Sequence, residues 1–147
     1  MSARTAAALT FVDTNVLVYA HDRSEGRRQP IAVELLDRLW RSRTGILSTQ
    51  VLQEFYVVAT RKLAPPMSRQ AARQTVISYA EWPVVEIDGP LIVAASRLEE
   101  AHTLSFWDAL IAESALRGGA SRLVSEDLQS GRSLAGLSVV NPFDEQR

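Results

Sequence analysis

Cysteine is absent from this sequence, lysine occurs once (Lys62), and histidine occurs twice (His21 and His102). The first absence excludes disulfides and every thiolate metal site. The two histidines are isolated from any ligand spacing, so neither is assigned a role. No apolar run approaches the ~18 residues that a membrane span requires. Neither sign of charge dominates, with 16 basic and 17 acidic residues. The net charge is −1, so no global positive field advertises a polyanionic partner, which would need a local basic surface or a metal to hold it. Glycine loops for nucleotides and motifs of serine hydrolases are likewise not found.

What is present reads as one globular α/β domain. Of the residues, 46% are hydrophobic and 22% charged, too apolar for a disordered chain and enough for a sizeable core. No linker, repeat or low-complexity stretch divides residues 1–147, and the core is expected over about 10–142. The opening "MSARTAAALTF" has no convincing cleavage site and reads as a tail entering the first strand. A cytoplasmic location fits this picture.

Short apolar strands are expected at 9–13, 45–48, 83–87, 121–125 and 137–141. Helical spacing fills the intervals: Ile31, Leu35, Leu39 with Leu36 and Trp40; Val51, Phe55, Val58 with Leu52 and Ala59; a helix from Ser68 to roughly Trp82; one opened by Gly89-Pro90; and "FWDALIAESALR", capped by Ser105. About five strands separated by helices predict a mostly parallel central sheet with helices on its faces.

Four acids stand where such a fold makes acids conspicuous. Asp13 ends the first strand and Asp127 follows the strand that ends at Ser125. Ligands of open parallel sheets bind beyond these carboxyl ends. Asp108 falls in the first turn of its helix. Glu54 borders the stripe of Val51 and Val58, with no lysine or arginine one turn away. Each has a plain structural reading: Asp13 or Thr14 as a helix cap, Asp108 as a favourable first-turn acid, Asp127 as a turn residue, Glu54 as an edge residue reaching water. Converging, they would repel one another, and a divalent cation would remove the conflict. Oxygen ligands alone suit Mg²⁺ or Mn²⁺ rather than zinc.

In this order, "FVDTNVLVYA", "STQVLQEFYVVATRK", "LSFWDALIAESAL" and "LVSEDLQSG" resemble the PIN-domain family, most closely its bacterial VapC-type toxins, over Phe11 to Pro142. The resemblance implies a metal-dependent ribonuclease with Asp13, Glu54, Asp108 and Asp127 as catalytic and metal-holding residues. Thr14, Asn15 and Ser125 match the family's supporting polar positions. It also implies an RNA substrate, a VapB-type antitoxin as partner, and a homodimer. Asp127 rather than its neighbour Glu126 fits the family's pattern, with Glu126 facing elsewhere or acting in support.

Other readings compete, among them a receiver-like signalling module, for which nothing supplies the lysine expected after the last strand. A Mg-dependent phosphatase with an aspartate nucleophile expects a second acid where Asn15 stands, and Lys62, read as mid-helix, has no phosphate-binding setting. A non-catalytic binding scaffold would keep the acids as partner contacts. Around the site, Trp107 is expected in the core, and Arg23, Arg27 and Arg28 in solvent, although base stacking and phosphate contacts are open to them.

Overall fold

Thr10–Val12 are buried on both sides and form strand β1 at the middle of the sheet. A strand so placed has no solvent face, which is why its sequence is a continuous run rather than an alternation. The computed structural model describes residues 7–128 and 130–144; the expected tail at 1–6, with Gln129 and 145–147, lies outside them. After β1 come helix α1 (Thr14–Ala20), a 3-10 turn (Arg23–Glu25), α2 (Arg28–Ser42), β2 (Gly45–Ser48), α3 (Thr49–Arg61) and α4 (Arg69–Tyr79). The chain continues with β3 (Val84–Val85), α5 (Gly89–His102), α6 (Phe106–Arg117), β4 (Arg122–Val124), β5 (Ser133–Leu134) and β6 (Leu137–Val140).

The strand order is β3-β2-β1-β4-β6-β5, parallel except for the β5–β6 pair. The chain therefore builds outward from β1 on one side, then crosses to lay β4 on the other. Between β1 and β4 the winding reverses, and the crevice beyond their carboxyl ends is the usual ligand position in such a sheet. Phe11, Leu17, Phe55, Leu91 and Leu123, all fully buried, fill the layers against the sheet.

Several boundaries differ from the sequence expectation. Helix α2 starts at Arg28, two residues before Pro30; a proline in the first turn costs no hydrogen bond there, because those N–H groups have no helical partner. Helix α4 stops at Tyr79 instead of continuing to Trp82. Trp82 instead turns inward, its ring 5.2 Å from Trp40 and 5.3 Å from Tyr79. Lys62, read as mid-helix, closes the C-terminus of α3. A sixth strand, β5, joins β6 through Ala135-Gly136, both at positive φ (53° and 90°). Two left-handed central residues make the tight hairpin turn that favours Asn-Gly, and alanine in the first position hid it.

Gly45 is where β2 must pass beneath Trp82. A Cβ at this position would come within 3 Å of three ring atoms of that indole, including 2.7 Å from Cη2. The ring is pinned by Trp40 and Tyr79 and has nowhere easy to go. Gly45→Ala is therefore expected to destabilise the fold by about 1–3 kcal/mol, read as a lower urea midpoint. Wild-type stability in this variant would show that the Trp82 cluster yields freely.

Candidate active site

The parallel pairing runs one residue past the ends of β1 and β4, β1 onto β4 and β4 onto β6. The Asp13 N–H donates to the Val124 carbonyl (3.0 Å) and the Ser125 N–H to Val140 (3.0 Å). This places Asp13 and Ser125 side by side. The Asp13 side chain caps α1, its Oδ1 accepting from the Thr14 N–H at 2.7 Å, while Oδ2 accepts from the Ser125 hydroxyl at 2.7 Å. The same hydroxyl oxygen accepts from the backbone N–H groups of Asp127 (3.1 Å) and Leu128 (3.4 Å). One buried serine thus ties the first acid to the loop that carries the last.

Glu54 reaches this group from α3. Ser48 caps that helix (3.4 Å to the Val51 N–H), which begins directly from β2 and sets Glu54 about two turns in. Its Oε1 accepts from the Thr14 hydroxyl at 2.6 Å and its Oε2 from Gln50 at 3.2 Å. Gln50, one turn back on the helix, gives this carboxylate a neutral donor where no cation stands. Asp108 enters at the third position of α6, its N–H held by the Ser105 hydroxyl at 3.1 Å.

Charge reports how these carboxylates see one another. Burial pushes Asp13 up to about 7, against the hydrogen bonds from Ser125 and Thr14, and Asp127 and Glu54 add repulsion. Burial also raises Asp108, Ser105 opposes it, and again Asp127 and Glu54 repel. The four predicted acids therefore share one edge of the sheet. Asn15 lies alongside, its Oδ1 accepting from the Glu126 N–H at 3.3 Å. Among the described residues, no three acidic or imidazole groups are drawn into a ready-made metal cage. The donor set nevertheless suits a hard divalent cation: every candidate ligand is oxygen, and Gln50 Oε1 is a buried oxygen without a hydrogen-bond partner.

The model of one protein family, the PIN domain, matches residues 10–132 and so takes in all four acids. The chain belongs to the PIN domain family. No curated protein matches it. Solved structures with the same fold include a toxin–antitoxin complex from Klebsiella pneumoniae (19% identity, 95% of this chain and 100% of that one, TM-score 0.67). Mycobacterium tuberculosis VapC20, described as a sarcin-ricin loop cleaving toxin, is 22% identical over 78% of this chain and 86% of that one (TM-score 0.59). DNA-bound VapBC from Salmonella typhimurium is 15% identical over 90% and 97% (TM-score 0.63).

Within this PIN domain the adjacent acids Glu126 and Asp127 part company. Glu126 accepts from the Tyr19 hydroxyl (2.5 Å) and from Arg28 Nε (2.6 Å). Its partial burial would raise its pKa, but these two bonds and the Arg28 charge carry it below the ordinary value. It anchors the loop, and Asp127 is the one that repels Asp13 and Asp108. Arg28 is consequently engaged and half-buried, also facing the Tyr19 ring at 5.5 Å; Arg23 and Arg27 are exposed as expected, Arg27 while donating to the Phe143 carbonyl at 2.5 Å. Nothing in the sequence signalled the pairing of Glu126 with Tyr19 and Arg28, about a hundred residues away from it. His21 packs edge-on against Phe55 and Tyr79, away from any ligand role. Trp107 overturns its core assignment: it is 63% exposed. At the second position of α6 its neighbours are apolar in sequence, but the helix turns them, not the indole, toward the core.

The raised Asp13 has a thermodynamic consequence. A carboxyl whose folded pKa exceeds its unfolded one contributes stability that is complete below the unfolded value and is lost as pH climbs through the folded value, here from about 3.8 to about 7. Asn at this position carries no such penalty. In metal-free buffer at pH 8, Asp13→Asn is expected to melt several degrees above the parent, and that advantage should shrink toward zero near pH 4. A parent equally stable across this range, with no gain in the variant, would mean that the carboxylate is fully compensated. Ser125→Ala should act oppositely, costing about 1–3 kcal/mol because it strips a donor from a buried acid.

Proposed function

We propose that this PIN domain is a metal-dependent ribonuclease that hydrolyses RNA phosphodiester bonds and serves as the toxin of a toxin–antitoxin pair. The observation that carries the reading is the convergence of Asp13, Glu54, Asp108 and Asp127, from four separate stretches of chain, on one edge of the sheet, where burial and then the charges of Asp127 and Glu54 raise the proton affinity of Asp13 and Asp108. A buried carboxylate, Asp13, and the acids that repel it are hard to justify by stability. They are readily justified as ligands awaiting a cation. Likeness of fold to toxins crystallised with antitoxins supports the toxin role and a VapB-type partner, and a homodimer acting in the cytoplasm belongs to the same proposal.

In this reading Asp13, Asp108 and Asp127 hold Mg²⁺ or Mn²⁺, with Glu54 completing the site or orienting water. The bound ion would supply an acidified water and neutralise charge on the scissile phosphate. The protein's own part is orientation. Ser125 and Thr14 fix both oxygens of Asp13, so the carboxylate has one orientation available. Thr14 occupies Oε1 of Glu54 at 2.6 Å, leaving Oε2, with its longer bond to Gln50, as the oxygen free to take a proton from an attacking water. Asp108 and Asp127 are more open to solvent and lie toward the approaching RNA.

The open spacing of the acids is the observation that favours a second reading, a non-catalytic scaffold that uses them as partner contacts. A Mn²⁺ titration by calorimetry separates the two without guessing an RNA target. The parent should bind and a folded Asp13→Asn should not. Because Asp13 must surrender its proton, affinity should rise about tenfold per pH unit below 7 and level off above it, with proton release scaling the heat by buffer. Cleavage of mixed-sequence RNA should then require the metal and collapse in Asp13→Asn. A well-folded parent that takes up no metal would support the scaffold instead.

A further inference from the structure

Among the described residues Trp107 is the one exposed aromatic; the other exposed large apolar side chains are aliphatic. It immediately precedes Asp108, so the two Cα atoms are a single ~3.8 Å step apart. Phe106, half-buried behind it, meets the indole edge-to-face at 5.3 Å and 78°, which props the ring outward rather than letting it fold onto the helix. The location argues against an ordinary apolar interface. Helices α5 and α6 are joined by three residues, 103–105, and pack closely, so they run antiparallel. Ile92 and Val93, the exposed apolar residues of α5, therefore lie near the far end of the pair, about 15 Å of helix away from Trp107. The indole is the exposed aromatic beside Asp108, away from the exposed apolar residues of its own helix pair.

We infer that Trp107 forms a nucleobase subsite, a stacking platform for a base of the RNA strand whose phosphate lies over Asp108. This rests on the ribonuclease reading and deepens it. An acidic edge gains little from phosphate contacts, whereas stacking on a planar face is indifferent to charge and accepts any base. Such a platform adds affinity for single-stranded RNA without fixing sequence. Trp40 and Trp82 are committed to their own cluster with Tyr79, so the fluorescence change on binding comes from Trp107.

The test uses the full chain in the Asp13→Asn background, so that RNA is retained, with two labelled probes of equal length and charge: octaadenylate and its abasic counterpart. Octaadenylate should bind roughly 5- to 150-fold more tightly than the abasic probe, as one stacked base provides, and should quench tryptophan emission. Trp107→Ala should erase that preference while leaving abasic affinity unchanged; Trp107→Phe should keep much of the preference and lose the quench. Equal binding of both probes, or an unaltered preference in Trp107→Ala, overturns the subsite and leaves the ribonuclease reading standing. Binding of neither probe overturns the subsite, while the ribonuclease reading, whose metal the Asp13→Asn background lacks, is judged by the Mn²⁺ titration. If Trp107→Ala instead converts an oligomer to a smaller species by light scattering, the ring is a contact between copies and the subsite is overturned.

Discussion

The carboxylate of Asp13, buried at the carboxyl end of the central strand, is the constraint around which this domain is organised. Two hydrogen bonds do not offset its desolvation, and the proton affinity that results is the measure of the shortfall. The surrounding construction follows from the need to hold that group in place. Helix α1 begins on it, the β4 loop is tethered to it through Ser125, and Thr14, the residue that donates to it, also clasps Glu54. A charged group with so many dependants fixes the relative positions of β1, β4 and α3 more tightly than apolar packing alone would, because hydrogen bonds have direction and hydrophobic contacts have little.

The contrast with Glu126 shows how environment divides similar side chains. Glu126 is one residue from Asp127 and carries the same chemistry, yet it finds a phenol and a guanidinium and becomes a settled structural acid. Asp13, Asp108, Asp127 and Glu54 find hydroxyls, amides and one another. Among the described residues no salt bridge gives them an arginine or lysine, and Arg28 is committed to Glu126. The chain thus spends its nearby cation on anchoring the loop and leaves the acids uncompensated. That arrangement is what a cation site requires and what a stability-driven design would avoid.

Much of this was legible in advance for reasons that can be named. Helix starts were readable where a side chain caps them, as at Ser68 and Ser105, and the parallel sheet was readable from short apolar runs separated by helical spacing. Asp13 and Asp127 were conspicuous because strand ends are where α/β sheets bind ligands; Glu54 was conspicuous because it lay on an apolar stripe with no partner one turn away. What stayed hidden was mostly long-range. Tyr19 and Arg28 give no hint of Glu126, since pairing across a hundred residues leaves no periodicity. The β5 hairpin was missed because Ala135 occupies a left-handed position normally marked by asparagine or glycine. Trp107 was misplaced because apolar neighbours in sequence say little about which side of a helix end faces the core.

The distribution of charge adds a last step. With a net charge of −1 and carboxylates gathered at the strand ends, the proposed substrate, itself a polyanion, approaches the least hospitable face of the molecule. Long-range steering cannot supply that encounter, so whatever affinity the site has must be local. Two local sources are physically available there: a divalent cation, which converts repulsion among the acids into attraction for phosphate, and an exposed ring, whose contact with a base does not depend on charge. They fail differently. The cation's contribution vanishes when Asp13 keeps its proton, whereas the ring's does not, so protonation of one buried carboxyl would silence the chemistry while leaving part of the grip on RNA intact.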